Sequence, residues 1–178
     1  DVEKLTSVPI LGNVAHDEGG CDNIENISGK VVESFRAIRT NLDFFAPNKE
    51  NKIFAISSVQ SGEGKSFSAF HLAYVFALAG KKTLLVSADI RKPDTGQFFN
   101  SNINKGLSTF LSRRDSWDDI VNKSKIENLE YIVGGPVPPN PAELLSSENV
   151  DLINKHLLNY EIVVIDTSPI GIIADAAY

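Results

Sequence analysis

Cysteine is nearly absent from this 178-residue sequence, Cys21 being the only one. A lone cysteine closes no intrachain disulfide, which excludes the small stapled scaffolds of secreted proteins and leans toward a reducing compartment. Methionine is missing altogether, even at position 1, which points to a piece excised from a longer polypeptide. Long apolar runs are missing too. The best of them, residues 69–80, contains His71 and falls well short of the roughly 20 residues that span a bilayer. No leader with a basic start and an apolar stretch opens the sequence. Positive charge is in deficit: 17 Lys+Arg stand against 23 Asp+Glu, for a net charge of -6. That balance argues against wrapping nucleic acid, whose backbone is held by neutralising phosphates, so no nucleic-acid partner is expected. His16, His71 and His156 are scattered with no cysteine beside them, which gives no zinc site, and no Gly-x-Ser-x-Gly elbow marks a serine hydrolase.

What is present is ordinary globular material, 42% hydrophobic and 22% charged, of a length that suits one core. Residues 1–29 read as an extended tether, with Val8-Pro9-Ile10-Leu11-Gly12 broken by Pro and Gly and a polar stretch around Gly19-Gly20. From residue 30 to 178 the pattern is that of a domain. Val31, Phe35, Ile38, Leu42 and Phe45 recur at steps of four and three, which predicts a helix opened by Ser28 or Gly29 and stopped before Pro47. Lys52–Val59 reads as a buried strand, Lys65 to about Ala79 as a helix whose Ala69, Ala73 and Ala77 form a ridge of small side chains, and Thr83–Val86 as a second strand. Helices are expected over Leu107–Arg114 and Trp117–Lys123, then a third strand over Leu129–Val133 and a fourth over Glu161–Ile165. Between them Asn140-Pro141-Ala142-Glu143 has the form of a helix start, with Asn as cap and Glu reaching back. Apolar runs alternating with helices predict an α/β fold, a mostly parallel sheet with helices on both faces.

The stretch from Ser57 to Ser66 lies between a strand and a helix and ends in Gly62-Glu63-Gly64-Lys65-Ser66. Backbone N–H groups left over at a helix start, with the positive end of its dipole, suit a bound phosphate. Gly62 and Gly64 let the backbone approach and turn, Lys65 can reach the β and γ phosphates, and the Ser66 hydroxyl can ligate Mg²⁺. The strict phosphate-loop pattern has Gly where Val59 stands, and a tight turn with a surface lysine is the competing reading; Gly-Lys-Ser opening a helix after a buried strand favours the phosphate loop. The candidate nucleotide-binding residues are therefore Ser61, Gly62, Glu63, Gly64, Lys65, Ser66 and Phe67. In a parallel sheet, ligands gather beyond the carboxyl ends of the strands, where Asp89 and Asp166 fall. Asp166 fits a water-mediated Mg²⁺ partner, and Asp89 either a second metal partner or the base that takes a proton from an incoming hydroxyl.

These segments together resemble the cytoplasmic domain of the bacterial tyrosine kinases that control capsule and exopolysaccharide synthesis. Gly62–Ser66 resembles the Walker A loop of that family, Ala88-Asp89-Ile90-Arg91-Lys92-Pro93 its second aspartate motif, and Val164-Ile165-Asp166-Thr167 its Walker B strand. Glu33-Ser34-Phe35-Arg36-Ala37-Ile38-Arg39-Thr40-Asn41-Leu42 is similar to the helix through which its subunits join, Val8–Gly12 to its junction with a membrane adaptor, and Pro138–Leu144 to a further family stretch. The resemblance implies a P-loop NTPase-like fold, ATP and Mg²⁺ as cofactors, and Lys65, Asp89 and Asp166 as the catalytic set. It implies ring-like self-association through Glu33, Arg36 and Arg39, and a membrane co-polymerase region as partner. The substrates it implies are tyrosine-containing proteins, the chain itself included, and the location is the cytoplasmic face of the bacterial inner membrane. Spacing alone would read Glu33 and Arg36 as a solvated helix face with one internal ion pair. Where the family has a first aspartate this sequence has Ser87, and family members continue past Tyr178 into an adenine-binding segment and a tail of clustered tyrosines. Tyr74, Tyr131 and Tyr160 read as packing residues. Two other functions compete. A deviant-Walker positioning ATPase would carry lysine where Gln60 stands, and a nucleotide-sensing assembly module with vestigial catalysis is suggested by Ser87.

Overall fold

The apolar runs become the strands of a single sheet: β1 (Lys52–Ile56), β2 (Thr83–Ser87), β4 (Leu129–Ile132) and β5 (Ile162–Asp166), with a two-residue β3 (Asn122–Lys123) at one edge. Their order is β1-β5-β2-β4-β3, and all pairings are parallel except β3 with β4. The structure is a computed structural model and describes residues 7–16, 27–45, 50–92, 95–145 and 147–169. Cys21, Gly19-Gly20, Pro47, Pro93 and Tyr178 lie outside the described residues.

Successive residues of a strand face opposite sides, so an unbroken apolar run needs cover on both. One face carries α1 (Gly29–Phe45) and α2 (Lys65–Leu78), with Phe35, Phe70, Phe76, Leu85 and Val164 in its core. The other carries α3 (Leu107–Leu111), α4 (Trp117–Ile120) and α6 (Ser147–Leu157) over Leu84, Val86, Ile132 and Val163; the short α5 (Pro141–Leu144) follows β4. Ala69, Ala73 and Ala77 are buried as the ridge requires, and they let α2 lie close to the sheet. Around them the large rings lock in place: Phe70 stacks on Phe98 at 4.6 Å and Phe54 on Phe76 at 5.5 Å. Burying Phe70 completely is worth about 2–3 kcal/mol in transfer free energy.

Several boundaries differ from the sequence reading, each for a local reason. β1 stops at Ile56, because Ser57, Ser58 and Val59 leave the sheet to build the loop ahead of α2. Phe45 does not join the α1 stripe; with Phe44 it extends past the core and is more than half exposed. α3 ends at Leu111, after which Arg113 takes a left-handed conformation (φ 59). The segment read as one helix over Trp117–Lys123 is a single turn, α4, after which Asn122 and Lys123 pair with β4 as an antiparallel edge. Asn140 does not cap α5 with its side chain; its Nδ2 donates to the Glu143 carboxylate at 2.7 Å instead of Glu143 reaching the backbone. α6 and a 3₁₀ turn at Thr95–Phe99 have no counterpart in the sequence reading. Trp117 is a core anchor, stacked on His156 at 4.4 Å, and Tyr131 and Tyr160 are buried, as packing residues should be. Of the tether, residues 7–16 touch α1: Asn41 Nδ2 donates to the Leu11 carbonyl at 2.7 Å, and the Ala15 N–H donates to Ser34 Oγ at 3.1 Å.

Candidate functional site

The carboxyl ends of β1, β5 and β2 lie side by side, and the connections leaving them build one cleft. Past β1 the chain turns through Gly62 (φ 89) and Gly64 (φ 85), left-handed conformations that a side chain would strain. α2 begins at Lys65 with Gly64 as its N-cap and no side chain capping its first turn, so those backbone N–H groups are turned toward whatever fills the cleft. A Cβ built on either glycine meets nothing within 4 Å, so the backbone presents an open surface there. Arrangement and donor set both fit a nucleotide phosphate.

Ser61, Gly62, Gly64, Lys65, Ser66 and Phe67 line this cleft of about 230 Å³. Asp89 lines it too, with Lys92, Gln97 and Phe98. Glu63 is the exception among the expected loop residues. Its Oε2 folds back to accept the N–H groups of Val59 (2.9 Å) and Gln60 (3.1 Å), bracing the loop where the strict pattern has Gly in place of Val59. Ser58 Oγ adds a bond to the Gln60 carbonyl at 2.7 Å.

Asp166, the last residue of β5, is fully buried and in register with both Ile56 and Ser87. It is not among the residues that line the cleft, and its carbonyl accepts the N–H groups of Ala88 (2.8 Å) and Asp89 (3.1 Å). Asp89 therefore does not end a strand, as its sequence position suggests. It sits two residues beyond β2, in a loop bonded to the end of β5, and is 8% exposed. Its Oδ1 accepts from Ser168 Oγ (3.0 Å) and from the Lys92 N–H (3.2 Å). Ser87 is wholly buried beside Asp166, and its Oγ makes no hydrogen bond among the described residues. Thus Lys65, Ser66 and Asp89 line one cleft, and Asp166, at the end of β5, is joined to it through the backbone of Asp89.

Lys92, Gln97 and Phe98 were given no role by the sequence. Lys92 stands inside the quoted Ala88–Pro93 stretch, so proximity to Asp89 was a usable signal; Gln97 and Phe98 reach the cleft only because the 3₁₀ turn packs on α2 through Phe70. Glu33, Arg36 and Arg39 lie on α1, away from the cleft. Arg36 pairs with Glu33 at 2.7 Å on an exposed face, and Arg39 Nη1 donates to the Val75 carbonyl of α2 at 2.7 Å. Arg39 also lines a second cleft, of about 180 Å³, by the amino ends of β1 and β5, where Lys52 pairs with Asp43 and Lys81 with Glu161. Opposed charges there neutralise one another, which leaves no net attraction for a phosphate. Among the described residues no helix is long and apolar enough to cross a membrane.

Fold and cleft together define a nucleotide-binding α/β domain of the P-loop class. A family model described as an AAA domain matches residues 51–177. The chain is 39% identical to the putative tyrosine-protein kinase CapB of Staphylococcus aureus over 82% of its own length and 64% of that protein. It is 42% identical to the tyrosine-protein kinase YwqD of Bacillus subtilis (strain 168) over 81% of its own length and 61% of that protein. The crystal structure of the chimerical protein CapA2B2 superposes with a TM-score of 0.87 at 38% identity, covering 98% of this chain and 77% of that one. The chain belongs to the AAA-domain family and, within it, to the bacterial tyrosine kinases. It spans under two thirds of the length of the two named kinases.

Proposed function

We propose that this chain is the catalytic domain of an ATP-dependent protein tyrosine kinase that phosphorylates itself and other proteins in the control of capsule or exopolysaccharide synthesis. The observation that carries the reading is the single cleft that brings the uncapped N-terminus of α2 and Lys65 opposite the Asp89 carboxylate. A triphosphate laid along residues 61–67 would be held by backbone N–H groups and by the Lys65 ammonium. Its γ-phosphoryl would point toward Asp89. The tyrosine oxygen would form the new P–O bond as the bond to the ADP oxygen breaks, and the phenol proton would pass to the open oxygen of Asp89. Little covalent work falls to the protein; rate comes from alignment and from charge placed ahead of the reaction. Mg²⁺ would be held by the Ser66 hydroxyl, with Asp166 acting through water and Asp89 adding its negative charge beside the ion, and would supply neutralisation of the phosphate charge.

Self-association through Glu33 and Arg36 is part of the same proposal, since both project from α1 away from its buried stripe. Arg39 would add to it from a position already tied to α2. Residues 1–29 would connect to a membrane co-polymerase region, placing the domain at the cytoplasmic face of the inner membrane. The test is phosphotyrosine formation from ATP by the full-length protein. Lys65→Met is expected to abolish it, and unchanged phosphorylation would overturn the assignment. A second reading, a nucleotide-sensing assembly module, draws support from Ser87, a buried hydroxyl where the family has a carboxylate. ATP-dependent self-association without any phosphotyrosine would favour it.

A further inference from the structure

We propose that Ser168 is a positioning residue that orients Asp89, so that one named oxygen of its carboxylate, Oδ2, works in the cleft. The proposal rests on the kinase reading above for what Asp89 does, and on the structure for how it is held. Ser168 lies two residues past β5 and is 4% exposed. Its hydroxyl donates to Asp89 Oδ1 at 3.0 Å across the top of the sheet, between residues 79 apart in sequence. The same oxygen also accepts the Lys92 N–H at 3.2 Å, so Oδ1 is committed to the protein on two sides. Rotation of a carboxylate about its last bond exchanges its two oxygens unless something distinguishes them. Here the Ser168 hydroxyl and the Lys92 N–H do so, and Oδ2, which takes no hydrogen bond among the described residues, is the oxygen left to serve the cleft that Asp89 lines with Lys65 and Ser66.

Ser168 is in turn tied to the base of the phosphate loop. Its carbonyl accepts from Ser57 Oγ at 3.2 Å, and its neighbour Thr167 is anchored on the Ile56 carbonyl through both N–H (3.1 Å) and hydroxyl (3.0 Å). Ser57 begins the segment that becomes the loop, so the register between phosphate loop and Asp89 runs through one buried serine. The Asp89 backbone N–H is held by the Asp166 carbonyl, which fixes where the residue stands but not which oxygen it presents. A small apolar residue at position 168 would keep the fold and weaken that selection, leaving Oδ1 held by the Lys92 N–H alone.

The test uses the full-length protein and its variants Ser168→Ala, Ser168→Thr, Asp89→Asn and the double variant Ser168→Ala/Asp89→Asn. Two quantities are read: Mn²⁺ affinity in the presence of ADP by spin-resonance titration, and the rate of phosphotyrosine formation from ATP. Ser168→Ala is expected to weaken Mn²⁺ and to slow transfer, each by about tenfold, the range seen when a group behind a ligand is removed. ADP affinity measured with EDTA should stay within about twofold, and Ser168→Thr, which keeps the hydroxyl, should restore both quantities. In the Asp89→Asn background, Ser168→Ala should add nothing, because the serine acts only through that carboxylate. Wild-type values for Ser168→Ala in both measurements would overturn the proposal. So would a loss that persists undiminished in the Asp89→Asn background, or one that includes metal-free ADP binding, since either shows a general structural effect. If the wild-type protein makes no phosphotyrosine while its Mn²⁺ affinity still depends on Ser168, the kinase reading fails and this inference stands.

Discussion

Two glycines in this fold are required for opposite reasons, and replacing each by alanine separates holding a nucleotide from holding the chain together. At Gly64 the backbone is left-handed (φ 85, ψ 24), but a Cβ would meet nothing within 4 Å. The cost of Gly64→Ala is then conformational, about 1–2 kcal/mol for a non-glycine residue in that region, offset by about half a kcal/mol of lost freedom in the unfolded chain. A net loss near 1 kcal/mol lowers the melting temperature by about 2–4 °C in a protein of this size. Gly106 is extended (φ 173), so its conformation is open to any residue; its problem is space. A Cβ there would stand 2.3 Å from the Val133 carbonyl oxygen and 2.5 Å from the Gly135 nitrogen, both backbone atoms. Relief means prising α3 from the loop after β4 and stretching the Leu107 N–H bond to Val133 (2.8 Å) and the Ser108 N–H bond to Gly134 (2.9 Å). Overpacking against backbone together with two weakened hydrogen bonds costs about 3 kcal/mol or more.

Function should sort the other way. The open side of Gly64 is the surface on which a phosphate would rest, so a methyl group there stands between ligand and backbone donors. ADP affinity is expected to fall by at least about tenfold, equivalent to about 1.4 kcal/mol, in Gly64→Ala. In Gly106→Ala, the fraction that remains folded should bind ADP as the wild type does. Urea denaturation gives the stabilities and titration calorimetry the affinities. A Gly64→Ala protein that bound ADP normally would refute the placement of phosphate on residues 61–67, and a Gly106→Ala protein as stable as the Gly64 variant would refute the close packing of α3 on β4.

Acid should unmask one surface network. Hydrogen bonds from the Ser116 side chain and backbone, then from Lys105, hold Asp119 down at about 2 from an ordinary 3.8. A depressed carboxylate contributes stability that is present above its unfolded value and lost as pH falls from about 4 toward 2; Asp119→Asn should flatten stability in that window, as measured by urea denaturation at each pH. On α1, the exposed Glu33–Arg36 pair is worth little to the monomer, so Glu33→Ala or Arg36→Ala should change stability by less than about 0.5 kcal/mol. If those residues join subunits, either variant should nevertheless sediment as a smaller species, and an unchanged sedimentation profile would count against the interface.

The parts of this molecule that could be read from sequence were those in which one local signal had one structural outcome. A run such as Thr83-Leu84-Leu85-Val86 has no polar face to offer water, so it had to lie inside a sheet covered on both sides, and it is buried throughout. Gly62, Gly64 and Lys65 lay between such a run and an alanine-ridged helix, a setting in which few conformations are open. The misses arose where tertiary contacts decided among several. Asn122 and Lys123 continue a helical stretch in sequence, but β4 offers an unpaired edge and takes them as a strand. Val150, Ile153 and Leu157 step by three and four and carry a signal for α6 that is weaker than the start at Asn140-Pro141. Gln97 has no pattern around it at all; it reaches the cleft because Phe98, one residue on, finds Phe70.

The same distinction applies inside the site and explains why Asp89 was harder to place than Lys65. Lys65 is positioned by its own helix, so its location follows from the residues on either side of it. Asp89 is positioned partly by the nearby Lys92 N–H and partly by the end of β5, through the Asp166 carbonyl on its backbone and the Ser168 hydroxyl on its side chain, and those two are far from it in sequence. A carboxylate after a buried strand is therefore only a candidate until the adjacent strand is known. Strand order β1-β5-β2 is what converts three separate strand ends into one reaction volume, because it inserts Asp166 and Ser168 between the phosphate loop and Asp89. Had β2 lain between β1 and β5, Ser168 would no longer stand beside both, and Ser57 would have no Ser168 carbonyl to hold.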